Sequence, residues 1–276
     1  MRPKTPTTGT LTVVVRRRRI RYRRSVATDR VAMHRALEAS FESLYANFDG
    51  ASFERRDDLY LALYPRFPIP QCNGAWIVED SQAAVDALPG AIAEVEAAGA
   101  VAWIQTRTGH DRTRQAALEL GLTHAERVPG MAMRPGELVE PNSDLEIQLA
   151  SVHDADETNE LLAVSFGAPK ELFDAFNEAL ARIESASWYI GRAHGEIVTT
   201  AIGFTAEDST GVFNVGTSPE HRGRGYGAAI TSRVVRDGFA AGSELAFLQS
   251  SDVGHGVYRR LGFRDVEEYV LLARPD

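Results

Sequence analysis

The sequence predicts a mixed α/β protein built from two related halves. Short apolar stretches typical of buried strands alternate with amphipathic stretches of helical period, most clearly in residues 144–276. The two halves also end alike. Segments 120–135 and 261–275 both begin Leu-Gly and end Arg-Pro, offset by 141 residues at the glycines and 140 at the prolines, as in a duplicated domain. The composition, 44% hydrophobic and 25% charged, is that of a folded globular protein.

The charge separates a basic N-terminus from an acidic body. Residues 1–30 hold ten Lys or Arg against Asp29 alone, a net charge of +9, so the other 246 residues carry −17 of the total of −8. An acidic body repels phosphate backbones, which argues against nucleic acid as a partner. No stretch approaches the roughly 18 apolar residues of a membrane span. Cys72 is the only cysteine, so no intrachain disulfide is expected. We therefore expect a reducing, cytoplasmic setting.

Seven of the arginines fall within residues 16–24. Such a run could be an arm for nucleic acid or anionic lipid, or the basic part of a signal peptide, although no apolar segment follows it. It could also be translated from upstream of the true start. Because like charges repel and bury nothing, we interpret residues 1–30 as a basic, disordered extension.

The second half, 144–276, is expected to follow the order β-α-α-β-β-β-α-β-α-β. Its predicted strands are 145–149, 188–193, 197–204, 211–215, 245–248 and 263–273, with a hairpin turn at His194-Gly195. Its predicted helices are 154–165, 170–183, a helix that follows residue 227 and ends near 239, and 256–261.

The first half, 31–134, has a shorter and weaker pattern. Its predicted helices are 28–48, 81–98 and 112–120, and its predicted strands are 75–78, 101–105 and 123–133. This order repeats the last part of the second half. Residues 135–143, rich in Pro and acidic residues, are expected to link the halves.

A glycine-rich loop in the second half is the strongest candidate for a ligand site. Residues 222–227 read Arg-Gly-Arg-Gly-Tyr-Gly between a predicted strand and a predicted helix. Glycines let a backbone approach a ligand closely, and the first N–H groups of a helix attract phosphate. A connector with solvated arginines remains the alternative. A Walker loop is excluded because no Gly-Lys-Ser/Thr follows. The spacing Gly223-x-Gly225-x-x-Ala228 fits a dinucleotide fingerprint formally, but Glu244 falls before the next strand rather than at its end.

Two motifs together resemble the GNAT acyltransferase superfamily over the whole second half. Arg-x-x-Gly-x-Gly at 222–227 follows a strand ending Val-Gly-Thr-Ser-Pro at 215–219, and Tyr-Arg-Arg-Leu-Gly-Phe follows at 258–263. The resemblance implies two GNAT-like domains in tandem, each with a mixed, mostly antiparallel sheet flanked by helices. It also implies an N-acetyltransferase that moves an acetyl group from acetyl-CoA to a primary amine of a small molecule or peptide. A non-catalytic sensor that keeps an acyl-CoA cradle is the alternative.

The resemblance assigns roles to particular residues. Tyr258 stands where the family places the tyrosine that protonates the departing thiolate, and Ser251 stands where the family often has an Asn that touches the cofactor. The other implied cofactor contacts are Val215, Gly216, Thr217, Arg222, Gly223, Arg224, Gly225, Tyr226, Gly227 and Ala228. A phenol of pKa about 10 is protonated at neutral pH, so it can serve as a general acid.

Other parts of the reaction are less defined by the sequence. The candidates for the general base are Glu267, Glu268, the terminal carboxylate of Asp276, His221 or a relay of water, and each side chain is interpreted as a surface charge. The histidines lack the spacing of metal ligands, so no metal is expected. Residues 144–276 hold 11 Lys or Arg against 21 Asp or Glu, a net charge of −10, which favours a small cationic amine as acceptor.

The first half lacks this chemistry. Aligning Gly121 with Gly262 places Ala117 at the position of Tyr258, and no Arg-x-x-Gly-x-Gly occurs in residues 73–100. We therefore expect a degenerate partner domain that either shapes the acceptor site or packs an interface, with a homodimer as one alternative for the assembly. Trp76 and Trp103 are interpreted as core residues rather than ligand contacts.

Overall fold

A computed structural model describes residues 26–275. The helices are α1 (Val26–Tyr45), α2 (Gln82–Ala97), α3 (Asp111–Glu119), α4 (Ala155–Phe166), α5 (Lys170–Leu180), α6 (Tyr226–Ala240) and α7 (Asp252–Leu261). The strands are β1 (Ser52–Arg56), β2 (Leu59–Leu63), β3 (Gly74–Ile77), β4 (Trp103–Arg107), β5 (His124–Met133), β6 (Glu146–Leu149), β7 (Ala186–Ala193), β8 (Glu196–Ala206), β9 (Ser209–Thr217), β10 (Leu245–Gln249) and β11 (Arg264–Ala273).

All eleven strands form one mixed sheet, in the order β1-β2-β3-β4-β11-β5-β10-β9-β8-β7-β6. Where the sequence predicts one sheet in each half, the structure has a single sheet, because the last strand of each half lies among strands of the other. Strand β11 pairs with β4, and β5 pairs with β10. Strands β5 and β11 also pair with each other along most of their lengths. The two halves therefore exchange their final strands.

The two halves contain the same arrangement around this exchange. Strand β3 runs parallel to β4 in the first half, and β9 runs parallel to β10 in the second. A helix crosses between the strands of each parallel pair, and a second helix leads into the exchanged strand. The mixed α/β class expected from the sequence is present.

Helices cover both faces of the sheet. We call the face that packs against α1, α4 and α5 the front face, and the face that packs against α2, α3, α6 and α7 the back face. Alternate residues of a strand reach opposite faces. Thus Ala132 of β5 packs in the front core with α1, while Met131 and Met133 pack in the back core with α6 and α7.

The structure differs from the sequence-based expectation in two further places. The hairpin of β1 and β2 was not predicted. Residues 26–30, assigned to the extension, belong to α1, and the Asp29 side chain is fully buried between Arg134 and Arg264. The arginine run at 16–24 lies outside the described residues. Residues 134–145 form neither helix nor strand and lie along the second half, where Val139 N donates to Leu261 O.

Candidate functional site

Strands β9 and β10 separate part of the way along their length. They pair in parallel at only three positions, the last being Gly211 with Phe247. Beyond it, β9 continues to Thr217 and β10 to Gln249 without pairing to each other. The result is a wedge-shaped gap in the sheet.

A β-bulge in β9 accompanies the gap. The pairing of β8 and β9 shifts between Thr200 and Ile202, and Asn214 adopts a positive φ of 48° there. Ser218 N donates to Val198 O, so strand alternation turns the backbone groups of Val215 and Thr217 away from β8 and toward the gap. The N–H and C=O of Val215 and the N–H of Thr217 can bind an extended amide-containing chain, whereas Thr217 O already accepts from Ser165 Oγ at 3.4 Å. Gly216 lies between them, and a Cβ there would be 3.2 Å from side-chain atoms of α4.

The glycine-rich loop stands at the mouth of the gap. Gly223 and Gly225 have positive φ values of 77° and 83°, which favour glycine, and a Cβ at either would meet nothing within 4 Å. Gly225 is the N-cap of α6 and makes no side-chain cap, so the first N–H groups of the helix remain for an anion. A Cβ on Gly227 would be 3.6 Å from Thr217 Oγ1 and 3.9 Å from Val215 Cγ1. The first turn of α6 therefore faces the gap.

The other residues of the segment 222–228 are either exposed to solvent or packed against the core. Arg222 and Arg224 are exposed, and Arg222 Nε donates to Thr217 O at 3.2 Å. This bond holds one guanidinium beside the end of β9. Tyr226 is buried at the base of the helix, and Ala228 is half-buried against the back core. Exposed guanidinium groups beside free helix N–H groups suit a pyrophosphate.

Tyr258 lies on α7 and approaches the gap from the back face. Its ring packs against the same back core as Val215 and Ala228, and it meets Phe263 edge-on with ring centroids 6.0 Å apart. Burial raises the pKa of Tyr258 to about 12, because the phenolate would lose solvation. The hydroxyl makes no hydrogen bond to a described residue, so it is a protonated donor available to a ligand.

Ser251 begins α7. Its hydroxyl oxygen accepts a bond from Gly254 N at 3.2 Å as the N-cap of the helix. The predicted cofactor contact therefore falls on a hydroxyl that already caps a helix but still has its own hydrogen to donate.

Glu267, predicted as a surface charge, is buried. Its carboxylate bonds to His34 Nε2 at 3.0 Å, Thr108 N at 3.2 Å and Glu268 N at 2.9 Å. Despite burial, these bonds lower the pKa of Glu267 to about 2. Tyr269 bonds to His34 Nδ1 at 3.1 Å. Because two of the donors that hold the carboxylate ionised, His34 and Thr108, come from the first half, Glu267 is part of the packing between the two halves.

The other candidate bases have different surroundings. Glu268 is exposed and paired with Arg127. The ring of His221 is half-buried, and its Nδ1 lies 2.9 Å from Ser218 Oγ. Asp276 lies outside the described residues. Cys72 is buried, and burial raises the pKa of its thiol to about 12, so its reactive thiolate is disfavoured.

A cavity lies on the front face of the sheet, opposite α6 and α7. Trp76 and Trp103 are buried in the front core as expected, but they also line a cavity of about 350 Å³ that reaches Gln249 at the end of β10. Phe41 and Gln249, which line the same cavity, were not predicted from the sequence. Because these two residues lie 208 positions apart in the chain, no local sequence pattern connects them. Ala117, aligned with Tyr258, is fully buried in α3.

Two features are absent from residues 26–275. No group of three or more His, Cys, Asp or Glu side chains is arranged to hold a metal ion in that part of the chain. No described helix is both long enough and apolar enough to cross a membrane.

Comparisons with known proteins agree with this geometry. A family model described as an acetyltransferase (GNAT) domain matches residues 146–266, which confirms the resemblance for that part of the chain. A search of curated proteins gave no significant match.

Solved structures share the fold over most of the chain. A GCN5-related N-acetyltransferase from Kribbella flavida has a TM-score of 0.68 and 19% identity, covering 89% of this chain and 96% of its own. A functionally unknown conserved protein from Staphylococcus epidermidis has a TM-score of 0.62 and 13% identity, with coverages of 82% and 95%. A GCN5-related N-acetyltransferase from Sphaerobacter thermophilus has a TM-score of 0.58 and 17% identity, with coverages of 90% and 92%.

Proposed function

We propose that the protein is an N-acetyltransferase that moves the acetyl group of acetyl-CoA to a primary amine, with residues 144–276 as the catalytic domain. Residues 31–134 are a degenerate GNAT-like domain, and 135–143 link the two. The observation that supports the proposal is the gap between β9 and β10, which has the glycine-rich start of α6 at its mouth and Tyr258 in the back core beside Val215 of β9. An anion cradle and a proton donor on one open gap are what acyl transfer from a thioester needs.

Each part of the gap has a role in this proposal. The N–H groups that begin α6, with Arg222 and Arg224, would hold the pyrophosphate of acetyl-CoA. The backbone edges of Val215 and Thr217 would bind its amide-containing arm. When bound, acetyl-CoA supplies the acetyl group as a thioester.

Two proton transfers accompany the transfer of the acetyl group to the amine. The neutral amine nitrogen forms a bond to the carbonyl carbon as the carbon–sulfur bond breaks. Tyr258 donates its proton to the departing sulfur, and a base or water takes the extra proton from the new amide nitrogen. Solvent restores the Tyr258 proton, so no covalent link to the protein is needed.

Calorimetry with acetyl-CoA tests the cradle through Gly227→Glu. The Cβ fits at 3.6 Å, while the longer carboxylate would extend toward Val215 and Thr217 and repel a pyrophosphate. We expect wild-type affinity in the micromolar range to fall at least about 100-fold, the loss of roughly 3 kcal/mol expected when a charge-assisted contact becomes a repulsion. Gly90→Glu is the matched control, because Gly90 lies in α2 with nothing within 4 Å of a Cβ. Equal binding by both variants would reject the cradle.

A further inference from the structure

The front-face cavity of about 350 Å³ has a strongly aromatic wall. Phe41 of α1, Trp76 of β3 and Trp103 of β4 line it, with the Phe41 and Trp76 ring centroids 4.3 Å apart and those of Trp76 and Trp103 6.3 Å apart. Both tryptophans are more than nine-tenths buried. A cavity of this size and lining suits a small ligand that carries a ring.

The cavity reaches the end of β10 on the front face, while the glycine-rich start of α6 packs on the back face. Gln249 lines it and lies two residues beyond Phe247, the last β10 residue paired with β9. Across the gap, the Phe213 ring of β9 lies 6.5 Å from the Phe41 ring. Tyr258 and the start of α6 stand on the back face. A molecule in the cavity would therefore meet the reacting thioester from the front while the cofactor is held from the back.

The polar groups of the cavity are few and specific. Gln249 Nε2 donates to Gln105 Oε1 at 3.3 Å, which joins the two halves and leaves the Gln249 carbonyl oxygen to accept from an amine. Among the described residues that line the cavity, none is Lys or Arg, and the carboxylate of Glu126 and the ring of His124 are exposed at its rim. A ligand carboxylate among the aromatic rings would lose solvation without gaining a Lys or Arg counter-ion. An ammonium is instead attracted by the aromatic faces and by Glu126.

We propose that the acceptor is a primary amine attached to an aromatic ring and free of carboxylate, with its ring among Phe41, Trp76 and Trp103 and its nitrogen near Gln249. This inference rests on the proposed function. It gives the first half a part in the reaction, because all three rings come from that half.

The test compares three acceptors that differ by one group: 2-phenylethylamine, ethylamine, which lacks the ring, and phenylalanine, which adds the carboxylate. Burial of a ring side chain is worth a factor of roughly 10 to 150, so kcat/KM for 2-phenylethylamine should exceed that for ethylamine at least about 10-fold. Phenylalanine should be a similarly poor acceptor. Equal rates for all three, or a preference for phenylalanine, would overturn the proposal while leaving acetyl transfer intact.

A variant locates the ring. Phe41→Leu should raise KM for 2-phenylethylamine about 5- to 10-fold, since it removes one aromatic wall, and should leave KM for acetyl-CoA unchanged. Phe67→Leu is the control, because Phe67 is a half-buried phenylalanine of the first half outside the cavity. An unchanged KM in Phe41→Leu, or an equal change in both variants, would contradict the assigned position.

Binding can also be measured without catalysis. The chain has three tryptophans, of which Trp76 and Trp103 line the cavity, so Trp188→Phe leaves fluorescence from the cavity alone. Titration with 2-phenylethylamine should change this fluorescence saturably, and titration with phenylalanine should not. Saturable binding without acetyl transfer to any acceptor would count against the proposed function and support the ligand class. Absence of saturable binding would overturn the ligand class.

Discussion

Replacing Tyr258 with Phe should slow acetyl transfer about 10²- to 10⁴-fold, a barrier increase of about 3–5 kcal/mol, because it removes the proton donor for the thiolate. The ring contact with Phe263 and the packing in the back core remain. The hydroxyl bonds to no described residue, so the free energy of unfolding should change by less than about 1 kcal/mol. A loss of rate would then report chemistry rather than folding.

Steady-state release of CoA thiol and calorimetry with acetyl-CoA measure the two effects separately. We expect kcat to fall while the Kd for acetyl-CoA stays within about twofold, equivalent to about 0.4 kcal/mol. Tyr189→Phe is the control, because Tyr189 packs in the same back core on β7, away from the gap. Since burial raises the pKa of Tyr258 to about 12, the wild-type rate should not fall through loss of this proton at any pH up to about 10. An unchanged kcat in Tyr258→Phe, when chemistry limits the rate, would refute the role.

Three other results are expected. Calorimetry should give one acetyl-CoA per chain, since Ala117 is buried where the second half has Tyr258 and residues 73–100 lack the glycine motif; two sites would contradict a degenerate first half. The pKa of Glu267 in the folded protein is about 2, below its ordinary value of about 4.5, so the stability that this carboxylate contributes is complete above pH 4.5 and is lost as the pH falls toward 2. Glu267→Gln should lower the free energy of unfolding at pH 7 by about 2–4 kcal/mol and flatten its decrease between pH 4.5 and 2, as measured by denaturant titration. With a cationic amine, kcat/KM should rise with pH through the alkaline range as neutral amine increases, and should fall at high salt as steering is screened; an acceptor profile flat in both would reject the cationic amine.

The sequence predicted best what depends on neighbouring residues. The hairpin turn at His194-Gly195 has positive φ at both positions, as the local sequence indicated. The bend of loop 222–227 is likewise explained locally, because Gly223 and Gly225 have positive φ and Gly225 is the N-cap of α6. The hairpin of β1 and β2 was missed because Ser-Phe-Glu-Arg-Arg of β1 is a polar edge strand without clear alternation.

Long-range arrangement was harder to predict. Strands β5 and β11 follow equivalent helices and both lead into Arg-Pro, so the local pattern does not distinguish which of them pairs with β4 and which with β10. The surface-charge interpretation of Glu267 was wrong because its partner His34 lies 233 residues away and comes from a helix assigned to the other half. The front-face cavity was missed for the same reason.

The exchanged strands make the first half part of the candidate active site. Strand β5 supplies Met131 and Met133 to the back core against which Tyr258 packs. It also pairs with β10 through Gln249, and so fixes the far wall of the gap. Residues 144–276 alone would leave β10 with an unpaired edge beside the site and a core without these side chains. The chemistry assigned to the second half therefore depends on a strand of the first, even though the first half carries no proton donor at the position of Tyr258.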